Sequence, residues 1–566
     1  MKLFTLALFF ILLQVSVPTA MAAPTEIHTW FVDSLVKVFP GDLPGAHRLS
    51  APEFATARNQ HLSIQLALRS AKPLPDVTAE ITPLEGSSGQ RIVGGVAHPV
   101  GYVVVGSHTK NTPPEERIGE APGWFPDPLW DFPIALERNR TRSLWATIAV
   151  PADAAPGLYR GAFVLRAGMR ALGRREFSVR VFAATVPDRR SLKITNWVNL
   201  GDKTSRQFYG FPQFSIEWWT LVENVATILA DHRQNVIYTP LRDLIQARAE
   251  GDRLVYGFAN FDRWVETFQR AGVIGTIEGS HIVDRAGSYD APLVVHTLQL
   301  NDGKVEETLL PPDDPRVETF LTGFLSALHS HLELKSWKPI YLQHILDEPH
   351  GSEPPYYARF GELVRRALPG VSTMDAMDAA TMSEELKKNC DIWVPQLGQF
   401  DGQMELIGSR VRSGREVWFY TCLFPTQRYL NRMIDYPLLK VRLLHWLNFR
   451  YGLAGYLHWG GNYWTPEPAN DTQPVIDANT ELLPAGDAFI VYPDRERKSV
   501  FSSIRLEAMR EGIEDYELLQ LLRERNPGEA ERLSRAAIGS FTEYVRDPAA
   551  FRRIQRSLLN ALSGNK

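Results

Sequence analysis

Cysteine is scarce in this 566-residue chain, which has two, Cys390 and Cys422. A scaffold held together by disulfides is thereby excluded. The pair falls at opposite ends of neighbouring predicted strands, so both are expected to be free thiols. An excess of either charge is also missing: 61 Lys and Arg against 65 Asp and Glu give a formal net charge of -4, spread evenly along the chain. Without a basic stripe there is no electrostatic footprint for nucleic acid, and no nucleic-acid partner is expected. Beyond residue 22 no run is long and apolar enough to span a bilayer, so no stable membrane insertion is expected. There is no Gly-x-Ser-x-Gly elbow and no His-x-x-x-His pair. A serine hydrolase and a helical metal site therefore lack support; neither a metal nor a cofactor is expected.

What is present begins with "MKLFTLALFFILLQVSVPTAMAAP": one Lys, an apolar run from Leu3 to Val15, and the small-x-small step Ala20-Met21-Ala22. This is the pattern of a cleavable signal peptide over residues 1–22, and it predicts a secreted or periplasmic protein. An uncleaved anchor fits less well, because the apolar run is short. The remainder allows two to four domains at roughly 100 to 200 residues each. Aromatics are plentiful, 14 Trp among them. Indole faces stack on pyranose rings, although core packing accounts for most tryptophans.

From residue 23 to 188 short alternating runs such as "HLSIQLALRS" and "RREFSVRVFAATVP" are separated by Pro and Gly turns. Period-two alternation of this kind predicts an antiparallel β-sandwich. Residues 121–133, "APGWFPDPLWDFP", hold too many prolines for a ladder and are expected to form an ordered loop. Over residues 189–526 the pattern changes to strand, helix, strand, helix. Eight apolar strand candidates occur, at 192–200, 235–240, 273–279, 339–348, 371–377, 392–398, 416–422 and 453–460. That alternation predicts a (β/α)8 TIM-type barrel. An open doubly wound sheet is the alternative, but no glycine-rich nucleotide loop follows its first strand. Residues 527–566 read as a short helical tail.

The fourth strand candidate runs into "YLQHILDEPH", with Asp347 and Glu348 side by side before Pro349. An Asp-Glu-Pro step can simply end a strand in a solvated turn. In a barrel, however, chemistry sits at the carboxyl ends of the strands, where this pair falls. Pro349 biases Glu348 towards an extended backbone, holding the pair at the mouth. A conventional retaining glycosidase sets its carboxylates about 5 to 5.5 Å apart across the ring, which adjacent residues cannot easily do. Adjacent carboxylates suit substrate assistance: a 2-acetamido oxygen attacks the anomeric carbon, Asp347 stabilises the resulting oxazolinium, and Glu348 serves as acid and then base. Mutual repulsion would keep Glu348 protonated near neutral pH while Asp347 ionises first.

Other strand ends offer a sugar-binding wall. Tyr420 shares a face with Trp418 by period two, and its phenol is a candidate partner for the acetamide oxygen. Trp459, Asn462 and Trp464 lie at and beyond the eighth strand. Packing is an equal reading for Trp418, His458 and Trp464. Glu278 and His281 at the third strand end and Asn199 at the first complete the candidate binding residues.

"ILDEP", "WFYTCLFP", "GYLHWGGNYW" and "SIRLEAMREGIEDYELLQLL" resemble glycoside hydrolase family 123, the β-N-acetylgalactosaminidase family. "ARNQHLSIQLAL", "WFPDPL" and "VPADAAPGLYRGAFVL" resemble that family's N-terminal β-sandwich. The resemblance implies a retaining exo-hydrolase that releases terminal β-linked N-acetylgalactosamine from glycolipid or glycoprotein oligosaccharides without a cofactor. It also implies that Asp347 is the oxazoline stabiliser and Glu348 the acid/base, with Tyr420, Trp459 and Asn462 lining the pocket. Arg510, Glu511, Glu514 and Asp515 read as structural ion pairs. The alternatives are the same machinery on another 2-acetamido sugar, or a non-catalytic carbohydrate-binding protein, against which the intact carboxylate pair argues.

Overall fold

The computed structural model describes residues 27–87, 89–273, 275–377, 383–464 and 483–564. The expected leader, residues 1–22, lies outside the described residues.

The N-terminal part is strand-rich. One sheet runs Ile27–Val32, His61–Ser70, Thr141–Ala149, Gly95–Val105, Gly123–Leu129 in spatial order. The other runs Glu53–Arg58, Arg170–Thr185, Gly157–Ala167, Leu74–Ile81, Ile134–Leu136. The pairings are antiparallel except that of Glu53–Arg58 with Arg170–Thr185. Alternation turns Ile64, Leu66 and Leu68 of one sheet and Phe163, Leu165 and Val179 of the other into a shared core. The expectation of a loop at residues 121–133 is corrected: Gly123–Leu129 is a strand paired with Gly95–Val105. It is the last strand of its sheet, where Pro126 and Pro128 can be accommodated because one side needs no ladder. A backbone bond from Leu129 N–H to the Ser502 carbonyl ties that edge to the second half of the chain.

The second half carries eight parallel strands: Lys193–Asn196, Val236–Thr239, Thr276–Gly279, Tyr341–Gln343, Ser372–Met377, Ile392–Pro395, Trp418–Tyr420 and Gly455–His458. The second to sixth pair in chain order in one sheet, while the eighth sits between the first and seventh in another. Isolated parallel bridges, Trp393 to Val417 and Gln396 to Tyr420, join the sixth strand to the seventh. Between the first and second strands side chains replace a ladder. The Gln234 amide bonds Asn196 N–H and C=O and the Val236 carbonyl, and Asn235 Oδ1 accepts from Ile194 N–H. Helices connect the strands, with Ser215 and Asp314 as side-chain N-caps for Ile216–Asp231 and Pro315–Leu334.

Two insertions go beyond the expected alternation: the hairpin Gln246–Gly257 and a small antiparallel sheet within Asp284–Leu310. Helix Ile504–Arg525, buried along most of its length, spans both halves. Glu511 accepts from Ser63 N–H at 3.0 Å and Glu514 from His61 Nδ1 at 2.8 Å. The tail forms helices Pro527–Ala537 and Pro548–Ser563. Cys390 and Cys422 are both free and buried.

Candidate active site

The fourth strand stops at Gln343, so Asp347 and Glu348 lie past its end and do not close it, as a strand over 339–348 would have had them do. A turn at Lys338–Ile340 precedes it, and the Gln343 amide bonds the Ser280 and His344 carbonyls, which bends the chain away from the ladder. Ile345 and Leu346 are buried, and they deliver the two carboxylates to the end of the parallel strands.

Glu348 has φ of 43°, which corrects the extended backbone expected before Pro349. A non-glycine residue in the left-handed region is held there at a cost of order 1–3 kcal/mol, met by its surroundings. Its N–H donates to the Ala376 carbonyl at 3.2 Å. Its carbonyl accepts from Arg285 Nη2 at 3.3 Å and from His350 Nδ1 at 3.0 Å. Arg285 is fixed in turn by a two-point contact with Glu353, at 3.1 and 2.6 Å.

Two phenols reach the Glu348 carboxylate: Tyr420 donates to Oε1, and Tyr289 also hydrogen-bonds the group. Burial, and then the charge of Asp347, push the Glu348 carboxyl up to about 7 against the pull of these phenols. Burial also raises Asp347 above the usual carboxylate range, opposed chiefly by His281, His344 and Arg285. Tyr289, itself half exposed, stacks on His350 at 4.5 Å with the Arg285 guanidinium 5.0 Å from its ring centre.

Below the pair lies a buried polar group. His344 Nε2 is 2.7 Å from Glu278 Oε1 and its Nδ1 is 2.9 Å from Asp375 Oδ1. Burial opposes a charge on this ring, but the hydrogen bonds to Asp375 and Glu278 outweigh it and lift His344 to about 10. His281, His344 and Asp375 have the donor types of a metal site. Yet both His344 nitrogens are spent on carboxylates, and a protonated ring offers no lone pair to a metal.

The candidate wall divides. Tyr420 meets Glu348 directly, and His281 lies beside the pair, its ring 4.5 Å from His344. Trp459 is half-buried, 5.2 Å from the Tyr463 ring, and packs on the apolar cluster that contains Tyr420. The other candidates need correction. Glu278 is fully buried and saturated by Trp197 Nε1, Thr195 Oγ1 and His344. Asn462 spends its amide on the Asn199 backbone at 2.6 and 2.9 Å, so it fixes a loop. Asn199 Oδ1 accepts from Gly201 N–H in that loop, although its side chain also reaches the Tyr463 phenol. Trp418 is fully buried at the start of its strand, its indole donating to Glu416. Trp464 donates to the Val491 carbonyl and packs on Phe208. Burial, and then the charges of Arg432 and Arg505, hold His458 well below the usual imidazole range, and its Nδ1 accepts from Arg432 and the Gly460 N–H, a structural role.

Trp197, His344, Asp375, Arg285 and Tyr289 also surround the pair and are not among the binding or catalytic candidates read from the sequence. A signal existed for two of them: His344 and Asp375 each interrupt an apolar run, and a charge inside a core must be paired. Arg285 and Tyr289 come from an insertion that periodicity does not announce.

A family model described as the glycoside hydrolase 123 catalytic domain matches residues 197–522, and one described as the glycoside hydrolase 123 N-terminal domain matches residues 49–167. No curated protein matches the chain. Among solved structures, a family 123 glycoside hydrolase from Clostridium perfringens, described in terms of glycolipid glycan hydrolysis, is 17% identical with a TM-score of 0.73. The alignment covers 95% of this chain and 97% of that one, a likeness in fold. A family 39 glycoside hydrolase from Bacteroides cellulosilyticus is 10% identical, covering 78% of this chain and 80% of that one, with a TM-score of 0.36. A Bacteroides ovatus family 5 xyloglucanase is 8% identical, covering 82% and 98%, with a TM-score of 0.31.

Proposed function

The chain belongs to glycoside hydrolase family 123 and is a glycoside hydrolase, and we propose that it is a retaining exo-enzyme for terminal β-linked N-acetylgalactosamine that works by substrate assistance. The observation that carries this reading is the adjacency of two half-buried carboxyls, with Glu348 lifted to about 7. A carboxyl near 7 is poised to give a proton to a leaving oxygen and take one back from water. Asp347 is one residue away, and the charges of His281, His344 and Arg285 around it favour its ionised form against the burial that raises it. It accepts the acetamide N–H as the carbonyl oxygen closes on the anomeric carbon opposite the departing oxygen, and water then opens the oxazolinium from the face the leaving group left. Two displacements at one carbon give net retention.

The substrate in this reading is a glycolipid or glycoprotein oligosaccharide, a class consistent with the glycolipid glycans named for the Clostridium perfringens protein. The eight parallel strands are read as a closed (β/α)8 barrel over residues 189–526. Their chain-order pairing and the Gln234 and Asn235 bonds across the first and second strands support this. Residues 23–188 are read as a β-sandwich and 527–566 as a packing tail. Residues 1–22 are read as a signal peptide, and an exported protein beginning at Ala23 by mass would bear that out.

The test of the chemistry is substrate dependence. Para-nitrophenyl 2-acetamido-2-deoxy-β-galactoside should be cleaved in preference to its gluco epimer, and a thiazoline analogue of the oxazoline should inhibit. Hydrolysis of the plain β-galactoside at a comparable rate would remove the acetamide from the mechanism.

A further inference from the structure

Resting on Asp347 as the oxazoline-stabilising carboxylate, we propose that His344 is a positioning residue whose fixed positive charge, shared between Glu278 and Asp375, allows the half-buried Asp347 to ionise. Hydrogen-bond geometry carries the charge assignment. Each ring nitrogen faces a carboxylate oxygen, at 2.7 and 2.9 Å, and an imidazole that donates through both nitrogens is an imidazolium. The remaining donors to Glu278 are the Trp197 indole and the Thr195 hydroxyl. Those to Asp375 are Ile345 N–H and the Tyr357 phenol, with His281 Nε2 also 3.4 Å from Oδ1. The first four are neutral and His281 reaches Asp375 alone, so His344 supplies the charge common to both acids.

The other groups facing this cluster are His281, whose Nε2 lies 3.4 Å from Asp375 Oδ1, Tyr238, 6.4 Å from the His344 ring, and the Asp347–Glu348 pair. Arg285 is engaged by Glu353. Two carboxylates and one imidazolium leave a net charge of about -1 beneath Asp347. Without His344 the figure is about -2, and a nearby anion drives a carboxyl towards its neutral form. A protonated Asp347 has lost the charge that stabilises the oxazolinium.

A purely structural role would link the third, fourth and fifth strands, and its loss would lower stability without an ordered effect on pH dependence. The experiment is the pH profile of kcat/KM on the N-acetylgalactosaminide for wild type, His344→Gln, Glu278→Gln and the double variant, with Tm measured beside each. We expect His344→Gln to move the acid limb upward, each unit costing about tenfold in kcat/KM on that limb. Glu278→Gln, which removes an anion and keeps the imidazolium on Asp375, should move it downward. The double variant restores the net charge and should return the limb towards wild type. An unmoved limb in Glu278→Gln, or a double variant shifted as far as His344→Gln, overturns the proposal. Asp347→Asn separates the two levels: wild-type activity there defeats the reading of the site, whereas inactivity there with unmoved limbs defeats this inference alone.

Discussion

At the scale of single residues, Tyr420 sets the working range of Glu348. Its phenol donates to the carboxylate and favours the charged form, so Tyr420→Phe should raise the Glu348 carboxyl. A hydrogen bond to a charged group contributes about 1.5–3 kcal/mol, or roughly one to two pH units. In the wild type the protonated form is lost as pH rises through about 7, so kcat/KM should fall on that side. In Tyr420→Phe the basic limb should move upward, and an unchanged limb would remove Tyr420 from control of the acid. Legibility in the sequence was uneven at this scale. Asp347 and Glu348 stood out by position, since they follow an apolar run expected to end at the carboxyl side of the strands, and the pair by itself is an ordinary turn sequence. Asn462 and Trp464 misled because a polar or aromatic residue beyond a strand reads the same whether it faces a ligand or a neighbouring loop.

At the scale of elements, the eight strands were legible because parallel strands buried on both faces read as unbroken apolar runs bounded by turn residues. The insertions at Gln246–Gly257 and Asp284–Leu310 were not, since half-exposed hairpins such as "KVEETLL" carry weak patterning. The strand Gly123–Leu129 was hidden by its prolines, and Asp127 within it is met by a buried fork. Arg505 donates to both Asp127 oxygens at 2.8 Å and to the carbonyls of Arg432, Gly486 and Phe489. Arg505→Leu leaves the buried Asp127 without its guanidinium, with only the Tyr492 phenol among the described residues donating to it, and gives an expected loss of about 3–5 kcal/mol. Arg505→Lys should recover little, because a single ammonium cannot span the fork. Denaturant melts that left both variants within error of wild type would refute this role. Gly512 allows the helices Ile504–Arg525 and Leu438–Tyr451 to approach, since a Cβ there would strike the Arg442 carbonyl. Gly512→Ala should therefore cost about 1–3 kcal/mol, read in the same way.

At the scale of the molecule, the strand-rich domain and the parallel-strand domain are joined through buried charge. Glu116, from the N-terminal part, meets Lys440 and the tail residues Arg546 and Tyr544. Asp435 accepts from Thr109 N–H at 2.7 Å, and Glu507 from Thr147 Oγ1 at 3.0 Å. This joining was partly legible: "REGIEDYE" was readable as structural ion pairs, but its partners in a distant domain were not, because spacing gives no partner across more than 400 residues. A chain beginning at residue 189 would strip Glu514 of His61 and Glu511 of the Ser63 N–H, leaving Glu511 with Arg442, and its Tm should fall well below that of the whole protein. An unchanged Tm would show the two parts to be independent. The measurement that bears most directly on the whole account is release of para-nitrophenol from the N-acetylgalactosaminide by wild type, Asp347→Asn and Glu348→Gln at equal folded concentration. The account predicts that both variants lose at least about a hundredfold in kcat, the scale of general acid catalysis. Full activity in either variant would contradict it.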